Sequence, residues 1–85
     1  MRFSAVFGQA LRQRRLQLGL SQEALAEKAD IHRTHVGLLE RGKRGAGLDV
    51  ALKVSRALGV PLAKLVAKAE REFEQNEAGS QRRKA

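Results

Sequence analysis

Residues 37–44 read GLLERGKR and carry the spacing G-x-x-x-x-G-K with which a phosphate-binding loop begins. In such a loop, backbone N–H groups cradle a phosphate, a lysine reaches its outer oxygens, and a following Ser or Thr holds magnesium. Here Lys43 is followed by Arg44, and the residues between the glycines, Leu38, Leu39, Glu40 and Arg41, are good helix formers. No strand precedes Gly37, so the match is a coincidence of spacing. The segment Gly42-Lys43-Arg44-Gly45 likewise fits a G-x-x-G loop that clamps RNA, but that loop also needs flanking strands. His32 and His35 stand at i and i+3, a spacing two metal ligands can share, yet no third ligand lies near them. No acid–base pair converges and no nucleophile has a base beside it. The sequence therefore predicts neither an enzyme nor a cofactor or metal site. What remains is a run of cations, Arg33, Arg41, Lys43 and Arg44, and the phosphates of a polyanion suit it.

The overall charge agrees. Seventeen Lys and Arg against nine Asp and Glu give a net +8 in 85 residues. Residues 1–68 hold thirteen cations and five acids, residues 69–78 one Arg and four Glu, and residues 79–85 three cations. The positive field thus belongs to the body of the chain, with an acidic stretch beyond it. One small domain is expected, burying roughly 60–65% of its unfolded surface, enough for a modest core and too little for a deep cleft. There is no Cys, no signal-peptide h-region and no apolar run long enough to span a membrane. A cytosolic protein is expected.

The elements that must position these cations are helices, because apolar residues recur at helical rather than alternating spacing. A first helix runs from Ser4 as N-cap through Phe7, Ala10, Leu11 and Arg15 to Leu18, with Gly19 closing it. A second starts at Ser21 as N-cap, stapled by Leu20 and Leu25, and ends near Ala29. After a tight break at Asp30-Ile31, a third spans about 33–41. The glycine-rich segment RGKRGAG is a loop. A fourth helix places Leu48, Ala51, Ser55 and Leu58 on one face and stops at Gly59. Pro61 opens a fifth, which runs to about Gln75 on the stripe Leu62, Leu65, Val66, Ala69 and Phe73. The expected fold is all-α, a compact five-helix domain over residues 1–76, followed by a disordered basic tail over 77–85.

Two short helices joined by a tight turn form a helix-turn-helix. On the wheel of the second, Arg33, Thr34, Gly37, Leu38 and Arg41 share one face, while Val36, Leu39 and His35 lie opposite and Glu40 sits at the border. The helix therefore buries Val36 and Leu39 and presents a face suited to a DNA groove.

These residues, with LRQRR, LGLSQEALAEKA, V-x-x-L-E-R-G and the later LGVPL, make residues 11–65 resemble the lambda-repressor-like helix-turn-helix family of bacterial and phage regulators. This is the Cro/repressor or xenobiotic-response-element type. The resemblance implies that Gln22 meets a phosphate or base edge and that His32, Arg33 and Thr34 read bases, with Gly37 and Leu38 in the next turn. It implies that Arg41, Lys43 and Arg44 grip phosphates, as could Arg12 and Arg14, and that Arg15 and Glu40 form a partly buried ion pair. Arg33 would take guanine O6 and N7 as a bidentate pair. Gly37, mid-helix, would let the backbone approach the groove.

Three positions depart from the family pattern. Asp30 replaces the usual turn glycine at a position of positive φ, His32 replaces the usual capping Ser or Thr, and Ala24 cannot complete a capping box. The implied function is a transcriptional regulator, foremost a repressor, that binds a pseudo-palindromic site in double-stranded DNA as a homodimer. Leu62, Leu65, Val66, Ala69 and Phe73 would form the dimer surface. The chain has the minimal form of phage repressors and of the controller proteins of restriction–modification systems, with no small-molecule effector evident. The competing expectation is an antitoxin that binds a toxin through the segment EREFEQNEAG and represses its own promoter.

Overall fold

The computed structural model describes the backbone of residues 2–84 and the side-chain surroundings of residues 2–77. Five helices follow one another: α1 Phe3–Gln17, α2 Gln22–Ala29, α3 Arg33–Glu40, α4 Leu48–Ala57 and α5 Leu62–Lys84, with no strand among the described residues. The all-α, five-helix expectation holds.

The helix ends follow their local chemistry. Ser21 caps α2 by accepting the Ala24 N–H at 3.0 Å, and Asp30 closes it in the left-handed region at φ 56 and ψ 48. A carboxylate side chain tolerates that conformation better than most, which explains why the turn survives without a glycine. The helix then closes by Ile31 N–H to Ala26 carbonyl at 3.0 Å. Ser4 does not cap α1. The helix begins two residues earlier, Arg2 occupies the cap position without a side-chain bond, and Phe3 and Phe73 pack edge to face with ring centroids 5.6 Å apart. α5 runs on to Lys84, across the segment expected as a tail and past the end expected near Gln75. Ala78, Gln81, Arg82, Arg83 and Lys84 favour helix, and no proline interrupts them.

The core gathers Val6, Ala10 and Leu11 of α1, Leu25 and Ala26 of α2, Val36 and Leu39 of α3, Ala51 and Val54 of α4, Leu58, and Leu65 and Ala69 of α5. Two features of the expected faces are corrected. Leu48, which shares a face with the buried Ala51, Ser55 and Leu58, is itself 83% exposed at the start of α4. Leu65 and Ala69, expected on a dimer surface, are 4% and 0% exposed and belong to the core, since α5 lies along α1.

α1 fixes the position of α3 by backbone contact. Gly8 is buried where a Cβ would stand 2.0 Å from the Leu39 carbonyl oxygen. At the exit of α3, Gly42 adopts φ 68 with Ala5 so close that a Cβ would lie 2.6 Å from its Cα. The two helices therefore meet with almost no side chain between them, and α3 cannot slide on α1.

Candidate nucleic-acid interface

α3 is presented by its neighbours. Its buried side carries Val36 and Leu39, both in the core, and its N-terminus is capped by His32, whose Nδ1 accepts the Thr34 N–H at 3.1 Å. The cap is thus formed although His32 replaces the usual Ser or Thr. An imidazole nitrogen takes the place of the usual hydroxyl, and that nitrogen is engaged within the chain.

The carboxylate of α3 turns inward. Glu40 is buried, and Arg15 of α1 meets it through Nε at 2.6 Å to Oε2 and Nη2 at 2.9 Å to Oε1. The remaining edge of the guanidinium donates from Nη1 to the Leu20 carbonyl at 2.8 Å. The two charges are therefore both desolvated and both hydrogen-bonded, which is the condition under which a buried pair is sustained. The Arg15 pKa is held above the ordinary arginine value, chiefly by the hydrogen bond to Glu40, while burial works against it. The expected structural ion pair is present.

With Glu40 neutralised inside, the outward side of the unit is cationic. His32, Arg33, Thr34, Arg41, Lys43 and Arg44 are exposed, as is Arg12 of α1, and Leu38 is half-buried. Lys43 and Arg44 follow an α3 terminus closed by Gly42 N–H to Leu39 carbonyl at 3.1 Å and Lys43 N–H to Leu38 carbonyl at 3.0 Å. That closure satisfies the last carbonyls, so the two cations leave the helix at a fixed angle.

Three residues stand in surroundings that their spacing did not reveal. Gln22 is half-buried and donates its Nε2 to Glu40 Oε1 at 3.1 Å, so the buried pair also orients the first residue of α2. Arg14 donates its Nε to the Leu58 carbonyl at 3.1 Å, tying α1 to the end of α4. Gly37 is buried although it lies on the outward face. The terminal atom Nη1 of Arg41 lies 3.3 Å from where its Cβ would be. The space expected to admit the groove is filled by that guanidinium. Gly8 went unremarked in the sequence. A glycine in the middle of a helix was the available signal, because it weakens the helix unless something must come close.

This geometry, a capped helix held on a buried ion pair with its cations outward, is that of a helix-turn-helix. The chain belongs to the helix-turn-helix family, whose model matches residues 11–65. It is of the Cro/repressor-like type and is a DNA-binding transcriptional regulator. Control protein C.BamHI of Bacillus amyloliquefaciens is 50% identical over 56 residues, 65% of this chain and 69% of its own length. The restriction–modification controller protein C.AhdI of Aeromonas hydrophila superposes with a TM-score of 0.71 at 42% identity, covering 73% of this chain and 94% of its own. The clp gene regulator ClgR of Corynebacterium glutamicum matches with a TM-score of 0.80 at 26% identity, over 85% of this chain and 94% of its own.

Proposed function

We propose that this chain binds a specific pseudo-palindromic operator in double-stranded DNA as a homodimer and represses transcription there, its own gene included. The likeness to C.BamHI and C.AhdI supports a place in the control of restriction–modification genes. The observation that carries the reading is the α3 surface itself. Its one carboxylate is locked to Arg15 in the interior, while Arg33 and Thr34 at its start and Lys43 and Arg44 past its end stay exposed.

The roles divide by chemistry. Arg33 reads a guanine edge in the major groove, with Thr34 beside it. Lys43, Arg44 and Arg12 hold phosphates and fix the register. Gln22, whose Nε2 is committed to Glu40, presents its carbonyl oxygen to a donor on a base edge.

The dimer surface is apolar. Phe3, Phe7, Ala46, Leu48, Ala51, Leu62 and Val66 line a groove of about 250 Å³. Leu48 and Phe3 are its exposed large apolar side chains. Phe73, expected in the dimer surface, packs its ring against Phe3 with centroids 5.6 Å apart. An exposed patch of this kind marks an interface, and a second copy of the chain would cover it.

Selection from a random duplex library at near-physiological salt tests the reading. The expected product is two inverted half-sites whose centres lie one helical turn apart, roughly 34 Å. Sequence-blind, salt-sensitive binding alone would overturn it.

A further inference from the structure

Resting on that operator reading, one relationship within α3 assigns a role its position does not suggest. Arg41 is the C-cap residue of α3, and its N–H bonds to the Gly37 carbonyl at 3.1 Å. Extended past the helix end, toward Lys43 and Arg44, its side chain would be one more phosphate contact. Instead its guanidinium lies back by one turn, with Nη1, Cζ and Nη2 at 3.3, 3.8 and 3.8 Å from the place a Gly37 Cβ would occupy. Helical side chains lean toward the N-terminus, so a residue covers the surface one turn before its own Cα. A methyl at position 37 would press on Nη1 at 3.3 Å, and a larger side chain would push the guanidinium off this face.

We infer that Arg41 is a second base-reading side chain, placed on the groove face by the bare backbone of Gly37, and that it takes a guanine near the one read by Arg33. Gly37 follows Arg33 by four residues, so the two share a face and lie about 6 Å apart along the helix axis. That separation corresponds to about two base-pair steps. The planar fork of a guanidinium matches guanine O6 and N7 as well as it matches a phosphate, and its place on the face it shares with Arg33 favours the base. A side chain already resting along the helix also loses less freedom when it binds. Gly37 acts through Arg41 and is a positioning residue.

The test is a scan of single base-pair changes across the selected half-site, read as binding constants for the wild type and four variants. Arg41→Lys keeps the charge. It should retain the wild-type salt slope yet lose roughly tenfold or more of the preference at one base pair, a different one from that lost in Arg33→Ala. Gly37→Leu should lose preference at that same base pair while melting no lower than wild type, since leucine favours helix where glycine does not. The double variant should lose no more than either single one. Unchanged preferences in Arg41→Lys, or a loss spread evenly over every duplex with a shallower salt slope, would show a phosphate contact and overturn the assignment. A Gly37→Leu protein that binds every duplex more weakly with the preference intact would show the leucine only crowding the groove, and the support by Gly37 would fall. A wild type that selects no sequence at all overturns the operator reading and this inference together. A wild type that selects an operator these variants still discriminate overturns this inference alone.

Discussion

The Glu40 carboxylate receives both Nε and Nη2 of Arg15, at 2.6 and 2.9 Å, and shares the second of its oxygens with the amide of Gln22 at 3.1 Å. One buried acid thereby joins α1 to the recognition helix and holds the leading side chain of α2.

Removing Glu40 leaves a buried guanidinium with no counter-charge. Glu40→Ala is expected to lower stability by roughly 3–5 kcal/mol, read as a lower urea midpoint with an unchanged slope. Replacing both partners, Arg15→Met with Glu40→Leu, should cost less than Glu40→Ala alone, because no charge is then stranded. A double variant weaker than the single one would remove the pair from the account of stability.

The raised Arg15 pKa sets the pH dependence of that contribution. A group whose folded pKa lies above its unfolded one stabilises the fold fully below the unfolded value, and the benefit fades only as pH rises through the folded value. For Arg15 that range lies above the ordinary arginine value. The stability gap between wild type and Arg15→Met should therefore stay level between roughly pH 7 and pH 10. A gap that closes over that interval would contradict the assignment.

Gly8 and Gly47 make a controlled pair. A methyl at Gly8 would collide with the Leu39 backbone, whereas nothing lies within 4 Å of a Cβ at Gly47. Gly8→Ala should lose about 3 kcal/mol or fail to fold, since a carbonyl oxygen cannot turn aside as a side chain would. Gly47→Ser, at the N-cap of α4, should melt within a few degrees of wild type. Similar melting points for the two variants would refute the close approach of α1 and α3.

Base reading and phosphate holding separate in their salt dependence. Arg33→Ala should flatten base preference at one operator position and leave binding to random duplexes nearly unchanged. Replacing Lys43 and Arg44 with Ala should weaken every duplex and reduce the salt slope by about two. If Arg33→Ala weakened random DNA as much as the operator, its assigned role would be wrong.

Leu48 tests the dimer surface without disturbing the core, being 83% exposed. Leu48→Glu should sediment as a monomer at concentrations where the wild type is dimeric, with its helical circular dichroism unaltered. Unchanged association would place the interface elsewhere.

The sequence by itself determined the local events. The breaks at Gly19, Asp30 and Gly59 and the cap at Ser21 rest on the conformational needs of single residues, and the structure places positive φ at each of those three breaks. Val36 and Leu39 were legible as the buried side of α3 because one helix wheel contains that information. The Arg15–Glu40 pair was legible only through the family resemblance. Tertiary structure decided what each apolar stripe faces and what each glycine meets. Leu65 and Ala69 are core because α1 lies over them, and Phe73 is half-covered because Phe3, seventy residues earlier, turns its ring onto it. Gly8 is required by the Leu39 carbonyl of another helix, and Gly37 is covered by a side chain whose direction no wheel shows. Capping and periodicity act over a few neighbouring residues, so the sequence displays them. Close packing joins atoms that are distant along the chain, so only the folded backbone shows which of them meet.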